Sequence, residues 1–176
     1  SFEKEVANTI NSKFINEKYL PSKKINKNII ASSYLPKLKI SIVFVAIPSQ
    51  FIYSFFKKHE KYFYKYEINL YNFIICSKGI DLKRKKLLSD ILIKLFPKSN
   101  IAVLSGPSFA IDVLKKKPTA VTIATKNSKL ANIAVSLLTN SYFRVYLSKD
   151  IIGVQINGTM KNVLAIAAGL TEGLNL

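Results

Sequence analysis

Lys161 is the residue whose type and setting most clearly suggest chemistry. It lies in a run of small and apolar residues, GTMKNVLAIAAG, over residues 158–169. A lysine in apolar surroundings loses hydration, so its neutral form becomes easier to reach. Such a lysine can exchange a proton with a substrate oxygen, and the neighbouring Asn162 could hydrogen-bond a hydroxyl group. The alternative is an ordinary lysine on the solvated side of a helix, and the residues alone leave both interpretations open.

Three further segments combine small and polar residues directly after apolar runs, at residues 47–51, 76–79 and 105–110. In open parallel sheets, ligands bind beyond the carboxyl ends of the strands, so these segments should lie side by side. Lys78 could hold an anionic substrate as a point charge. Gly106 and the helix start after it could offer backbone N–H groups to a phosphate or carboxylate, and Phe51 could pack on a flat cofactor ring. The alternatives are a solvated lysine, a Gly-Pro turn capped by Ser108 and a core phenylalanine.

The sequence supports neither a metal site nor a Ser-His-Asp catalytic triad. His59 stands alone in a charged helix end, and Cys76 is the single cysteine, which excludes an internal disulfide and is typical of a reducing cytosol. The dinucleotide fingerprint G-x-G-x-x-G is also absent, because the first glycine of the chain is Gly79. The residues therefore predict a polar strand-end edge and an unusual lysine, but no particular reaction.

The net charge of +17, from 27 basic and 10 acidic residues, could indicate nucleic acid or an acidic membrane as a partner. Only Arg84 and Arg144 are arginines, however, and nucleic-acid sites favour arginine for its bidentate fork. We interpret the lysine surplus as compositional drift in an AT-rich genome and predict no nucleic-acid partner. No uninterrupted apolar run approaches the roughly 20 residues that span a bilayer, so we predict no membrane partner either.

Apolar runs that alternate with amphipathic stretches predict a parallel sheet with helices on its faces. Strands are expected at 28–35, 40–47, 73–77, 101–104, 119–124 and 143–147, and helices at the N-terminus, after Gln50, and at 82–96, 128–138 and 151–169. Lysines become rare after Ser148 and small residues become frequent, which predicts a domain boundary there. We therefore expect one domain over 1–147 and the start of a second over 148–176. The first residues predict a helix with no strand before it, and the last six run from the long helix into a turn, so we expect a piece of a longer protein.

Eight segments resemble, in order and close to the same spacing, bacterial NAD(P)-dependent glycerol-3-phosphate dehydrogenase. The longer ones are VLSGPSFA (103–110), PTAVTIA (118–124), FRVY (143–146), DIIGVQ (150–155) and KNVLAIAAG (161–169). The shorter ones are YLP (19–21), IPSQ (47–50) and SKG (77–79). Together they cover nearly the whole chain, and their collinearity makes the resemblance specific.

The resemblance implies reduction of dihydroxyacetone phosphate to sn-glycerol 3-phosphate with NADH or NADPH, for phospholipid synthesis in the cytoplasm, with a homodimer left open. It implies an α/β fold with a Rossmann-like, doubly wound, mostly parallel sheet, followed by the first helix of an all-α C-terminal domain. Lys161 would be the catalytic acid/base. The residues at the substrate would be Lys78, Gly106, Ser108, Lys161 and Asn162, and those at the cofactor Lys78, Ala110 and Phe51.

The sequence also departs from the family pattern. The opening strand and glycine loop of the family would precede Ser1, and its substrate-binding aspartate and phosphate-clamping Asn/Arg pair would follow Leu176. Asn157 stands where glycine is common, and Glu172 where aspartate is usual. We therefore expect these 176 residues alone to be nearly inactive. Two alternatives stay open, a related two-domain hydroxyacid or keto reductase and a basic nucleic-acid-binding module.

Overall fold

A computed structural model describes residues 3–35, 42–67 and 72–175. Its helices are α1 (Lys4–Lys13), α2 (Ile52–Lys58), α3 (Glu60–Lys65), α4 (Leu88–Leu95), α5 (Ala110–Leu114), α6 (Ser128–Leu138) and α7 (Ile151–Gly173). Its strands are β1 (Ile15–Asn16), β2 (Leu20–Lys24), β3 (Ile42–Val45), β4 (Asn72–Ile75), β5 (Ile80–Asp81), β6 (Lys86–Leu87), β7 (Asn100–Ser105), β8 (Thr119–Ala124) and β9 (Phe143–Ser148).

The central sheet has five described strands in the order β3-β4-β7-β8-β9. All neighbouring pairs are parallel except β7 and β8, which are antiparallel. The five-residue α5 between them is too short to carry the chain back across the sheet, so β8 starts beside the end of β7. Residues 40 and 41 of the predicted strand 40–47 lie outside the described residues. The predicted α/β fold with a mostly parallel, Rossmann-like sheet is confirmed.

Helices cover both faces of this sheet. Neighbouring strand residues point to opposite faces, and in β4 the buried Phe73 and Ile75 join one core while Ile74 joins the other. The first core packs β4 and β7 against α2, α3 and α4, and includes Phe73 stacked on Phe96 with ring centroids 5.4 Å apart. The second packs the sheet against Leu130 and Ala134 of α6. The fold is therefore doubly wound, as predicted.

The predicted strand at 28–35 is wrong. This segment is a series of turns in which Ile29 and Ile30 are exposed. The side-chain amide of Asn11 forms hydrogen bonds with both main-chain polar groups of Ala31. Its Nδ2 donates to the Ala31 carbonyl and its Oδ1 accepts from the Ala31 N–H, both at 2.8 Å. These groups are thereby withdrawn from sheet pairing. The strands that do form in this region are the unpredicted hairpin β1–β2.

The predicted helix 82–96 begins six residues late. Residues before Leu88 form the hairpin β5–β6, whose turn is fixed by the buried carboxylate of Asp81. That carboxylate accepts hydrogen bonds from the Arg84 N–H at 2.8 Å and from Arg84 Nη1 at 3.1 Å. The guanidinium also stacks on Tyr53, 3.3 Å from the ring centroid. The helix expected after Gln50 is likewise divided, into a 3-10 turn (Ser49–Phe51), α2 and α3.

Helix α7 confirms the long helix predicted over 151–169 and crosses the face of the sheet. Ile151 and Val154 pack on the first core, Gln155 and Gly158 are buried, and every described residue from 162 onward is exposed. By length and composition α7 is apolar enough to cross a membrane, although no single apolar run reached that length. Core helices of globular proteins meet the same criterion, and the first half of α7 packs against the sheet.

Gly158 brings α7 close to the end of β7. A Cβ atom at this position would lie 2.6 Å from Ser105 Oγ, at the end of β7. The absence of a side chain therefore sets how closely the helix approaches the strand. Gly169, in the exposed part of the same helix, has no described atom within 4 Å of such a Cβ.

We predict that Gly158→Ala destabilises the complete protein by up to about 1–3 kcal/mol, because the added methyl must displace the Ser105 hydroxyl or move α7 away from β7. Gly169→Ala is the matched control and should stabilise it by about 0.5–1 kcal/mol, the helix-propensity difference between the two residues. Urea unfolding of both variants measures the change. Equal effects of the two substitutions would contradict the close approach.

Candidate active site

The carboxyl ends of β3, β4 and β7 meet at one edge of the sheet, which we call the carboxyl edge. Ser77 Oγ after β4 donates to the carbonyls of Val45 and Ile47 after β3, at 3.1 and 2.5 Å. The loop after β3 is tied to the hairpin after β4, since Gln50 Nε2 donates to the Ile80 carbonyl at 2.7 Å. The expectation that the three polar strand ends lie side by side is confirmed.

Gly106 forms the tight exit from β7. Its φ of +155° lies in the region that favours glycine, and a Cβ there would come within 2.7 Å of the Ala120 carbonyl oxygen. The Gly106 carbonyl accepts hydrogen bonds from Lys78 Nζ at 3.1 Å and from Ser108 Oγ at 3.4 Å. One backbone oxygen thus brings together three of the residues that the sequence indicated.

A cleft of about 350 Å³ lies between the end of β7 and α7. Gly106, Pro107 and Phe109 line one wall, and Asn157 and Lys161 line the other. Lys161 is half-buried, and its Nζ lies 5.5 Å from the centroid of the Phe109 ring, within cation–π range. The ammonium group therefore faces the cleft, as its proposed chemistry requires.

The cleft is cationic. Burial lowers the pKa of Lys78, and the positive charge of Lys161 lowers it further. Lys78 as a whole is exposed, so the burial concerns its ammonium end, which is turned inward onto the Gly106 carbonyl. No carboxylate is among the side chains that line the cleft, where Lys161 is the one charged lining residue, and Lys78 lies beside the cleft, bonded to the Gly106 carbonyl. Such a space suits an anionic ligand.

A second cavity, of about 550 Å³, lies at the amino ends of β8 and β9. Arg144 is the one charged side chain among the residues that line it, and none of the sequence-predicted site residues does so. Although it is larger, this cavity offers less chemistry, and we place the candidate site at the smaller cleft.

The structure brings only part of the predicted set to the cleft. Gly106 and Lys161 line it, while Lys78 and Ser108 bond to the Gly106 carbonyl. Exposed residues outside the cleft lining are Ala110 at the start of α5, Asn162 on α7 and Phe51 in the 3-10 turn.

Two of the alternative interpretations are wrong. Phe51 is 62% exposed and is no core residue. Ser108 does not cap α5, whose N-cap position is Phe109, without a side-chain cap. The apolar run after Lys161 does not enclose it among the described residues either, since Val163 and Leu164 are more than half exposed.

Phe109 and Asn157 are among the cleft residues that sequence reasoning missed as contributors to the site. Asn157 was noted only as a departure from glycine, yet it precedes Lys161 by four residues, so both lie on one face of α7. That four-residue spacing could have identified Asn157 as a site residue. Phe109 lies inside the segment SGPSFA but carries no signal of its own, because its position depends on the turn at Gly106. Among the described residues, no group of three or more potential metal ligands occurs.

A doubly wound, mostly parallel sheet with a cationic cleft at its carboxyl edge defines a Rossmann-like α/β protein with a strand-end ligand site. The family model described as NAD-dependent glycerol-3-phosphate dehydrogenase N-terminus matches residues 1–131, and the corresponding C-terminus model matches 150–176. The chain therefore belongs to the NAD-dependent glycerol-3-phosphate dehydrogenase family.

Individual relatives agree with this assignment. The chain is 41% identical over 167 residues to the glycerol-3-phosphate dehydrogenase (NAD(P)+) of Neorickettsia sennetsu, covering 94% of this chain and 48% of the relative. It is 36% identical over 177 residues to that of Maricaulis maris, covering 100% and 52%. The chain thus spans about half the length of these curated relatives.

Solved structures show the same likeness. The glycerol-3-phosphate dehydrogenase of Coxiella burnetii superposes with a TM-score of 0.84 at 27% identity, over 99% of this chain and 53% of that one. The Plasmodium falciparum glycerol-3-phosphate dehydrogenase gives a TM-score of 0.87 at 27% identity, over 99% and 49%.

We predict that Lys161→Met raises the pKa of Lys78 toward its ordinary value of 10.5, because it removes the neighbouring positive charge. Lys129→Met, on α6, removes a charge that has no part in this shift and should leave Lys78 unchanged. The pH dependence of amine labelling at Lys78, followed by mass spectrometry, measures both. If Lys161→Met lowers the pKa of Lys78 or leaves it unmoved, the two lysines do not share the cleft.

Proposed function

We propose that the complete protein reduces dihydroxyacetone phosphate to sn-glycerol 3-phosphate with NADH or NADPH. Membership of the dehydrogenase family supports this reaction, and so does the convergence of Lys161, Lys78 and Gly106 at one cleft. The convergence is the observation that carries the proposal, because these residues come from the loop after β4, the turn after β7 and α7, and meet only through the fold.

The substrate phosphate fits the charge of the cleft. Two ammonium groups without a lining carboxylate attract a dianion, and Lys78 would hold it as a point charge. Gly106 and Ser108 would contact the substrate through the turn after β7. Asn162 stays in the proposal as a substrate contact on the strength of the resemblance alone.

The walls of the cleft also fit a flat, partly apolar ring. Pro107, Phe109 and Val154 give it apolar surface, beside the polar amide of Asn157. The nicotinamide end of the cofactor would be held here, with Ala110 contributing its backbone, Lys78 its charge and Phe51 a nearby aromatic ring. When bound, that ring would supply the hydride, and the protein supplies binding and orientation.

Lys161 would hold the transferable proton on Nζ. As the carbonyl carbon of dihydroxyacetone phosphate accepts a hydride, its oxygen takes this proton and becomes the hydroxyl of sn-glycerol 3-phosphate. In the reverse direction the amine removes the proton from that hydroxyl. The face of Phe109 keeps the ammonium group directed into the cleft until transfer.

The proposal also assigns a role to each of the two domains. Residues 1–147 would form the cofactor domain, and residues 148–176 would begin the helical substrate domain, which α7 opens after β9 ends at Ser148. Supply of phospholipid backbones and a cytoplasmic location are further expectations from the resemblance, which leaves a homodimer open. The expectation of no membrane or nucleic-acid partner comes from the sequence itself.

We predict that the complete protein oxidises NADH or NADPH only when dihydroxyacetone phosphate is present, and that Lys161→Ala lowers kcat by about 10²–10⁴-fold. Lys149→Ala, an exposed lysine just before α7, is the matched control and should keep the activity. Absorbance at the reduced-nicotinamide band follows the reaction. No substrate-dependent loss in the unmodified protein would refute the proposal, and turnover of other small keto acids alone would favour the related reductase.

We also predict that Lys78→Gln raises the KM for dihydroxyacetone phosphate but changes turnover of unphosphorylated dihydroxyacetone much less, because the lost charge faces the phosphate. Lys98→Gln, in the turn before β7, removes an exposed lysine at the other edge of the sheet and serves as control. Steady-state kinetics with both substrates give the comparison. Equal losses with the two substrates would show that Lys78 does not select the phosphate.

A further inference from the structure

Gln155 is a buried polar side chain that the proposed reaction does not use. It is 5% exposed, and its partner Ser89 is 2% exposed. Gln155 Oε1 accepts from the Ser89 backbone N–H at 3.1 Å, and Gln155 Nε2 donates to Ser89 Oγ at 2.7 Å. Nε2 also donates to the Ile151 carbonyl of its own helix at 3.3 Å, but the acceptor and the shorter donor bond of the amide both go to Ser89 on another helix.

The position of Ser89 at the N-terminus of α4 explains why these hydrogen bonds are strong. Ser89 is the second residue of α4, whose N-cap residue Leu87 gives no side-chain cap. The first N–H groups of a helix have no intrahelical acceptor and need an outside oxygen. Gln155 supplies that oxygen from α7, 66 residues later in the chain. A buried donor left unsatisfied is costly, so the two helices are held in one register.

The other contacts of α7 hold it less specifically. Ile151 and Val154 make apolar contacts with the first core, which limit distance but permit small slides and rotations. Gly158 sets the approach to β7 but contributes no directional bond. Beyond Lys161, every described residue of α7 is exposed. Lys161 is six residues after Gln155, about 9 Å along the helix axis, so the clamp at Gln155 controls where its ammonium group lies.

We propose that Gln155 is a positioning residue that fixes Lys161 in the cleft through its paired hydrogen bonds to Ser89. The inference rests on the proposed function, in which Lys161 handles the proton. A small misplacement of a catalytic group can lower the rate by up to about 100-fold, so a helix that slides should lose kcat before it loses substrate binding.

Three variants of the complete protein separate positioning from stability. Gln155→Met keeps a side chain of similar length without hydrogen bonds. Gln155→Glu keeps two oxygens, which can accept from the Ser89 N–H and hydroxyl at the positive end of α4, and gives up only the longer bond from Nε2 to the Ile151 carbonyl. Ser89→Ala keeps the backbone N–H and removes only the hydroxyl, which provides a milder variant should Gln155→Met fail to fold.

We expect Gln155→Met to lower kcat about tenfold or more with little change in the KM for dihydroxyacetone phosphate, Ser89→Ala to lower it less, and Gln155→Glu to restore most of it. In a Lys161→Ala background, Gln155→Met should cause no further loss, because the group it positions is gone. If kcat of the Gln155→Met or the Ser89→Ala enzyme equals that of the unmodified enzyme, the inference is overturned. It is also overturned if Gln155→Met lowers kcat by the same factor in the Lys161→Ala background as in the unmodified protein.

Amine labelling gives a readout that needs no turnover. Gln155→Met should change the labelling rate of Lys161 while leaving that of Lys149 unchanged, and Gln155→Glu should preserve the original rate. If the labelling behaves in this way but the unmodified protein does not use dihydroxyacetone phosphate, the proposed function fails and the positioning role stands. If Gln155→Met leaves the labelling rate of Lys161 unchanged, the positioning role fails by itself.

Discussion

The close approach of α7 to the end of β7 is the constraint on which the candidate site depends. Gly158 lets the helix backbone come against Ser105, and Gly106, the next residue of the strand exit, lets that exit pass against Ala120 of β8. Because neither glycine carries a side chain, a helix, a strand end and a second strand meet in a space that any larger residue would fill. The cleft, the contact of Lys161 with the Phe109 ring and the hydrogen bond from Lys78 to Gly106 all lie around this junction.

The charge that matters for function is local. The chain carries +17 overall, but most of its lysines are ordinary solvated residues, and the total charge does not identify a site. At the cleft, burial and the neighbouring Lys161 lower the pKa of Lys78, which shows that the two ammonium groups interact. Holding two like charges together costs free energy, and a bound anion offsets that cost. In the proposed function, the phosphate of the substrate would relieve this repulsion.

Sequence periodicity was sufficient for the central strands, because continuous apolar runs such as those of β4 and β7 have one stable location, between two helical layers. It failed where single polar side chains redirect the backbone. The Asn11 amide hydrogen-bonds the main chain of Ala31, where a strand was predicted. The Asp81 carboxylate accepts hydrogen bonds in the turn before α4, so that α4 begins later than predicted. At the site, Lys161 and Gly106 could be identified by residue type. Phe109 could not, because it reaches the cleft only through a turn whose geometry depends on the contact of Gly106 with β8.

The direction of β8 and β9 explains why α7 needs an internal clamp. These strands run opposite to β7, so β9 ends at the edge of the sheet far from the cleft. The chain must therefore cross the face of the sheet before Lys161 can reach the carboxyl edge. Lys161 follows Ile151 by ten positions, which corresponds to about 15 Å of helix for this crossing. A helix on an apolar face can slide, because dispersion contacts have little directionality. Hydrogen bonds are directional, and the pair between Gln155 and Ser89 lies along the crossing, between the apolar start of the helix and the turn that carries Lys161. The topology of the sheet thus accounts for the presence of a buried polar pair at this point of an otherwise apolar interface.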